Sequence, residues 1–349
     1  MAAKQCISRN MRIFISMTAS RNPLSVCKAL CAVAIVSLLV WLCYEKQVGV
    51  VPDSENYRIM LEDVLSRTYS ISYEQSFAYI SELADFAFSD AIAGLFFIYA
   101  AISIAVKFYA ISVSSKNTSL SIIIYLGSFF LLHDYIQIRV GAAIAFSLLA
   151  IHYLGEDKIR NAVVCMLAAI FFHNSSLVIL AVFPFLRMRI TPLLMIPALL
   201  VAIFFKYYDL TGIIFGFIDL LKIEKIQTYT KLFQDLEDQR DINIFNYKVF
   251  IFMIANLYIY RRIDVLKDRG SVYFLNASSM GISFFFVLSF FPVLSFRFYE
   301  YLIPSIIILY PNFIFYFFKN KNYKSLSFLM ISLMCIVFLY MDLARFGML

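Results

Sequence analysis

The feature that most limits what this chain can fold into is a recurring apolar run, about 15 to 22 residues long, repeated from Val26 to Tyr340. A helix needs about 20 apolar residues to cross the hydrocarbon core of a bilayer. Val26–Tyr44, Ala162–Phe185 and Ser271–Phe291 meet or approach that length. Composition agrees: 62% of residues are hydrophobic and only 15% charged, against about 25% charged in soluble domains. The expected fold class is therefore all-α: a single polytopic membrane domain over residues 26–342. A cytoplasmic tail (1–25) precedes it and a short tail (343–349) follows.

The net charge of +7 would suggest a nucleic-acid partner only if the basic residues gathered on one exposed face. They sit instead in short loops between apolar runs, where they encode membrane topology, so no nucleic-acid partner is expected. Lys4, Arg9, Arg12 and Arg21 precede the first span and place the N-terminus in the cytoplasm. Trp41 and Tyr44 then act as interface anchors of an uncleaved first span. The loop from Glu45 to Ala87 carries an acidic excess and falls outside. Within it, PDSENYRIMLEDVL and YEQSFAYISELADFAF have helical apolar spacing, which predicts two short helices on the outer surface.

Continuing the alternation gives about eleven spans, the C-terminus outside and an external loop over 222–245. That parity needs a short span at Thr211–Leu221, so that the clusters Arg261, Arg262, Lys267, Arg269 and Lys319, Lys321, Lys324 fall inside. Arg187 and Arg189 then fall outside, against the rule. The six cysteines have no metal spacing and read as small apolar residues.

The stretch Leu131 to Leu177, LLHDYIQIRVGAAIAFSLLAIHYLGEDKIRNAVVCMLAAIFFHNSSL, holds all three histidines of the chain. Arg139 opens one apolar run and His173 interrupts another, about 16 Å into its span at 1.5 Å per residue. Ionisable groups at that depth are costly unless they meet a partner or a wet cavity. In the expected topology several polar groups converge on the outer face. They are Asp53, Tyr57 and Glu74 from the first loop, then His133, Asp134, Gln137 and Arg139. Arg187 and Arg189 follow, with Arg297, Tyr299 and Glu300 later.

Each has a structural alternative. Arg139 can snorkel from a helix end, and its neighbours Gly141, Ala142, Ala143 and Ala145 permit close helix packing. Tyr135 and Tyr301 fit an interface belt, and His152 an interfacial position. His173 can be a neutral core histidine, or Asn174, Ser175 and Ser176 after it can open the helix onto a polar cavity. No metal pattern, phosphate loop or serine elbow occurs, so neither metal nor cofactor is expected. Several arginines beside histidines and carboxylates suit an amphiphilic phosphate or pyrophosphate ester, because guanidinium binds such groups through paired donors.

From about Asp53 to Pro304 the chain resembles the EpsG family of Wzy-like exopolysaccharide and O-antigen polymerases. The resemblance rests on Asp53 and Tyr57 after the first span, and on Glu74 opening the amphipathic helix YEQSFAYISEL. It rests also on Arg139 in QIRVGAAIAF, on FFHNSSL around His173, and on Arg297 in FRFYEYLIP. Val140 stands where the family usually has Gln, a departure, with Gln137 two residues before the arginine. The resemblance implies a bacterial inner-membrane glycosyltransferase of GT-C-like architecture. It would join repeat units carried on undecaprenyl diphosphate, with chain-length-regulator and flippase proteins as partners.

In that reading Arg139 and Arg297 stabilise the leaving diphosphate, and His173 is the base, with Glu300 as fallback. Asp53, Tyr57, Glu74, Asp134, Gln137, Arg187, Arg189, Tyr299 and Glu300 contact substrate. An O-antigen ligase, a sugar O-acyltransferase and a lipid-linked-sugar flippase or transporter are the alternatives.

Overall fold

A computed structural model describes residues 23–67, 73–188, 191–208 and 243–348. Every regular element among the described residues is helical. The chain opens with α1 (Pro23–Tyr44), followed by the short helices α2 (Ser54–Ser66) and α3 (Gln75–Ala87), as the spacing of the first loop predicts. Then come α4 (Ala91–Ser114), α5 (Thr118–Ile136), α6 (Ile138–Gly155) and α7 (Ile159–Phe172). After an irregular stretch holding α8 (Val178–Val182) come α9 (Met195–Tyr207), α10 (Tyr247–Arg261) and α11 (Arg269–Val287). The last elements are α12 (Pro292–Leu302), α13 (Ile306–Phe317) and α14 (Lys321–Arg345).

Six helical segments are long and apolar enough to cross a membrane: α4, α5, α6, α11, the α12–α13 pair from Leu294, and α14. Three shorter apolar helices, Leu30–Tyr44, Ile159–Phe172 and Thr191–Tyr207, accompany them. That is fewer long spans than the eleven expected: the spans expected at Val26–Tyr44, Leu193–Phe205 and Tyr247–Tyr260 coincide with shorter helices, and the one expected over Ala162–Phe185 is broken. The proposed span at Thr211–Leu221, most of the loop 222–245 and the tail before Pro23 lie outside the described residues.

Hydrogen bonds sort the helix ends into two groups. At one end, Asn312 accepts from the Lys116 amide (2.6 Å) and donates to the Ser114 carbonyl and the Ser271 hydroxyl (2.9 Å each). Arg269 pairs with Asp157 at 2.5 Å there, and Gly155 lies directly against the Gly270 backbone. This end collects Lys116, Lys158, Arg160, Arg261, Arg262 and the Lys319–Lys324 cluster, as a single membrane face should. At the other end, Lys46 donates to the Tyr135 carbonyl at 2.9 Å and Lys248 pairs with Asp342 at 2.5 Å.

Two features bend the chain between these faces. The first is in α5, which widens into a π-helix from Leu126 to Ile136. Such wide turns shift side-chain register and often occur at functional sites. Close packing holds it: a Cβ on Gly127 would meet Cys335 at 2.5 Å, and one on Gly141 of α6 would collide with the His133 carbonyl. The small residues of α6 therefore serve helix approach, as expected.

The second feature is the break at His173. Its backbone is extended (φ −159°, ψ 124°), and a 3₁₀ turn, Asn174–Leu177, precedes α8. The chain then runs back toward the basic end. Asn276 donates to the carbonyls of Leu186 (2.7 Å) and Met188 (3.0 Å), and Thr191 donates to Phe185 (2.7 Å) and Met188 (2.9 Å). These side chains satisfy backbone groups that a broken helix leaves bare. From that depth α9 runs parallel to α11, and Phe205 meets Phe290 at 5.3 Å, beyond the far end of α11.

This routing also places Arg187 and the facing ends of α9 and α10. Asn276 lies seven residues into α11, roughly 10 Å from its basic end, so the Arg187 turn faces the basic half of the bundle. The exception to the charge rule disappears for Arg187; Arg189 lies outside the described residues. The start of α10 and the end of α9 share the end opposite the basic loops, where Lys206 sits 5.9 Å from the Phe245 ring.

Candidate functional site

The site is built at the end opposite the basic loops, where α2, α3, α6, the His173 break and α12 meet. Asp53 caps α2 in a left-handed conformation (φ 62°), which an Asp tolerates better than most residues. The turn before it is tied by Ser54, whose hydroxyl donates to Val51 at 2.5 Å and accepts from the Gly49 amide at 3.0 Å. Tyr73 donates to Asp63 at 2.9 Å and links the approach of α3 to α2. Glu74 is thereby delivered at the head of α3. A ladder of Tyr57, Phe77 and Tyr99, with centroids 6.4 Å apart at each step, fastens both short helices onto α4.

Glu74 holds two cationic or titratable partners at once. Its Oε2 accepts from Arg139 Nη1 at 2.5 Å, and its Oε1 lies 2.8 Å from His173 Nδ1. Burial pushes the Glu74 carboxyl up, but the His173 hydrogen bond and the Arg139 charge outweigh it and hold the group at about 2. A carboxylate on Nδ1 makes that nitrogen the N–H donor, so Nε2 of a neutral imidazole is left as the acceptor. His173 also stacks on Tyr301, 6.4 Å between centroids and 12° between planes. Arg139 lies over the rings of Tyr57 (5.6 Å) and Phe77 (5.5 Å), a cation–π cradle that fixes its plane. Its buried Nε has no hydrogen-bond partner among the described residues. Burial, set partly against the Arg139 charge, raises the Tyr57 hydroxyl to about 12.

These groups line a cavity of ≈ 120 Å³ whose wall is Asp53, Tyr57, Gln137, Arg139, Val140, His173, Ser175, Arg297, Glu300 and Tyr301. Seven residues singled out from sequence thus share one wall: Asp53, Tyr57, Gln137, Arg139, His173, Arg297 and Glu300. Glu74 sits just behind it, holding Arg139 and His173. Arg297 is exposed and makes no salt bridge among the described residues.

Other expected members go elsewhere. Asp134 is fully buried against Lys107, 2.6 Å and 2.8 Å from its two oxygens, with Tyr125 donating at 2.8 Å and Ser103 also bonded. Its carboxylate is used up inside the bundle and does not reach the cavity. Arg187 is exposed on its own turn over the Phe183 ring at 5.9 Å, and Tyr299 lines a neighbouring cavity. In the other direction, Tyr301 is no interface-belt residue: it is buried in the wall. Lys107 sits inside α4, buried. No cluster of metal-ligating side chains occurs among the described residues.

The helical bundle, its six long apolar segments and a polar cavity at one end define a multi-pass membrane protein with a site at one face. The family model of the EpsG family matches residues 28–347, nearly the whole chain, and the chain belongs to that family, a Wzy-like polymerase family of the bacterial inner membrane. Neither the curated proteins nor the solved structures contain a match.

Proposed function

We propose that this chain is a polysaccharide polymerase. It joins oligosaccharide units carried on undecaprenyl diphosphate, at the outer face of the inner membrane, with its N-terminus in the cytoplasm. The observation that carries this reading is the shared carboxylate: Glu74 fixes the Arg139 guanidinium and the His173 imidazole side by side on the wall of one cavity. The site end lies opposite the basic loops, which fits an outward-facing site.

In the reaction, a hydroxyl of the incoming unit attacks the anomeric carbon of the growing chain. The new carbon–oxygen bond forms as the bond to the diphosphate oxygen breaks, and the diphosphate leaves with the electron pair. The hydroxyl proton passes to Nε2 of His173, the nitrogen that the Glu74 contact leaves unprotonated. Arg139 and Arg297 meet the negative charge that grows on the diphosphate. Asp53, Tyr57, Gln137 and Glu300 supply hydrogen bonds to the sugar around the reacting carbon. Arginines provide the charge, so the scheme calls on no other group.

A strain lacking the chain, complemented with Arg139→Ala, Arg297→Ala or His173→Ala, tests this by gel analysis of extracted glycan. The expected outcome is surface glycan one repeat long, or single lipid-linked units, at normal protein level. Arg139→Lys should rescue poorly, because an ammonium has no paired donors. Long polymer stranded on carrier lipid would instead indicate a ligase. Single units trapped on the cytoplasmic side would indicate a flippase, and normal chains in all three variants would remove the site assignment.

A further inference from the structure

Beside the first cavity lies a second, of ≈ 90 Å³, between the π-helical half of α5, the start of α10, α12 and the end of α14. Glu300 lines both. Gln137, on the wall of the first, interacts with Glu300 and with His133 on the wall of the second. The two spaces are thus separated by a thin polar partition. His133 is 1% exposed and its Nδ1 has no hydrogen-bond partner among the described residues, an unusual state for a buried polar atom.

The chemistry of the two cavities differs. The first presents Arg139 and Arg297, whose donors suit an anion. The second is balanced in charge: Lys248 and Asp342 pair at 2.5 Å, and Arg345 joins Glu300 on the wall. The rest is largely aromatic, with Phe338 under Lys248 at 5.1 Å and four further phenylalanines. Apolar rings with a few fixed polar groups are the usual lining of a site for a neutral ligand that has both faces and hydroxyls. At about 10–15 Å³ per water the space holds roughly six to nine waters. That suits one sugar ring, with the remainder of an oligosaccharide outside.

We propose that this second cavity binds the terminal sugar of the incoming unit, and that Glu300 orients the attacking hydroxyl toward the first cavity. The inference rests on the polymerase reading and adds a separate acceptor site to it. A transferase with two sugar substrates needs two places that meet at the reacting atoms, and Glu300 stands where these two meet. Tyr299 and the Lys248–Asp342 pair hydrogen-bond the ring hydroxyls, and the phenylalanines cover its apolar face.

The test uses the full-length protein in proteoliposomes. Unlabelled lipid-linked polymer serves as donor, and labelled single lipid-linked units, purified from a strain lacking the chain, are titrated in as acceptor. The double variant Lys248→Gln with Asp342→Asn removes both charges together and leaves no orphan. Its half-saturating concentration of single units should rise about tenfold or more, with the saturated rate little changed. Tyr299→Phe, which keeps the ring and its packing, should shift the same quantity in the same direction. Arg139→Ala should do the reverse, losing saturated rate while half-saturation is kept. Unchanged half-saturation in both the double variant and Tyr299→Phe, or a loss confined to saturated rate, would overturn the acceptor site while leaving the polymerase reading intact. Failure of the wild-type protein to add any label would overturn both.

Discussion

Two carboxylates in this bundle each hold a cation, and they could hardly be more different in circumstance. Asp134 and Lys107 have side chains 0% and 1% exposed. The lysine has Ser103 (2.9 Å), both Asp134 oxygens and the Gly141 carbonyl (2.9 Å) around it. Nothing is left over to bind a ligand. Glu74 and Arg139 are 10% and 20% exposed, and their cavity still offers an unpartnered Nε, the free side of His173 and Arg297. A closed ion pair fixes structure, whereas an open one has capacity for substrate. Completeness of partners separates the two.

The strongest test of that contrast is Lys107→Met. It strands a buried carboxylate, which costs about 3–5 kcal/mol, and should show as a collapse in folded yield and unfolding midpoint in detergent. Adding Asp134→Leu should restore most of the stability, because paired apolar replacement of a buried ion pair is commonly tolerated. Arg139→Ala should divide the other way. Polymer formation should fall by about 10²–10³-fold, while the unfolding midpoint moves by about 4 °C or less. Equal stability losses in the two variants would erase the distinction.

Gly141→Ala tests the seam between the two clusters, since its Cβ would meet the His133 carbonyl and the Asp134 side chain. Over-packing of this kind costs about 1–3 kcal/mol, read as a lowered midpoint. The smallest effect concerns acid. Glu74 has its folded value depressed to about 2, below the usual carboxylate value of about 4.3. Its contribution is fully present above the unfolded value and is lost as pH falls from there through about 2. Between pH 4.5 and 3 wild-type protein should lose slightly more thermal stability than Glu74→Gln, and the two should run parallel above pH 5.

Most of the site was legible in the sequence because membranes make polar residues conspicuous. Arg139 at the head of an apolar run and His173 inside another stand out against hydrocarbon, and Glu74 stands at a helix start. The two loop helices were legible from their 3.6-residue spacing. The route after His173 was not. A run that is apolar throughout hides its break, and the residues that make the break tolerable, Asn276 and Thr191, lie up to ninety residues away from the carbonyls they satisfy. Asp134 misled for a related reason. Its partner Lys107 is 27 residues earlier and looks like an ordinary helix-end lysine until the fold turns both inward. Tyr301 could have been found only by noticing that helix packing places it beside the histidine.

The position of Glu74 has a consequence in time. Its partners follow it by 65 and 99 residues, so at about 5–20 residues per second the ribosome delivers them roughly 3–20 s later. Through that interval the carboxylate has no cation to face. On a spanning helix it would wait in hydrocarbon, at a cost that could misdirect insertion. At the head of a short helix between spans it waits in water, and the site closes only when the helices bearing Arg139 and His173 have been threaded beneath it.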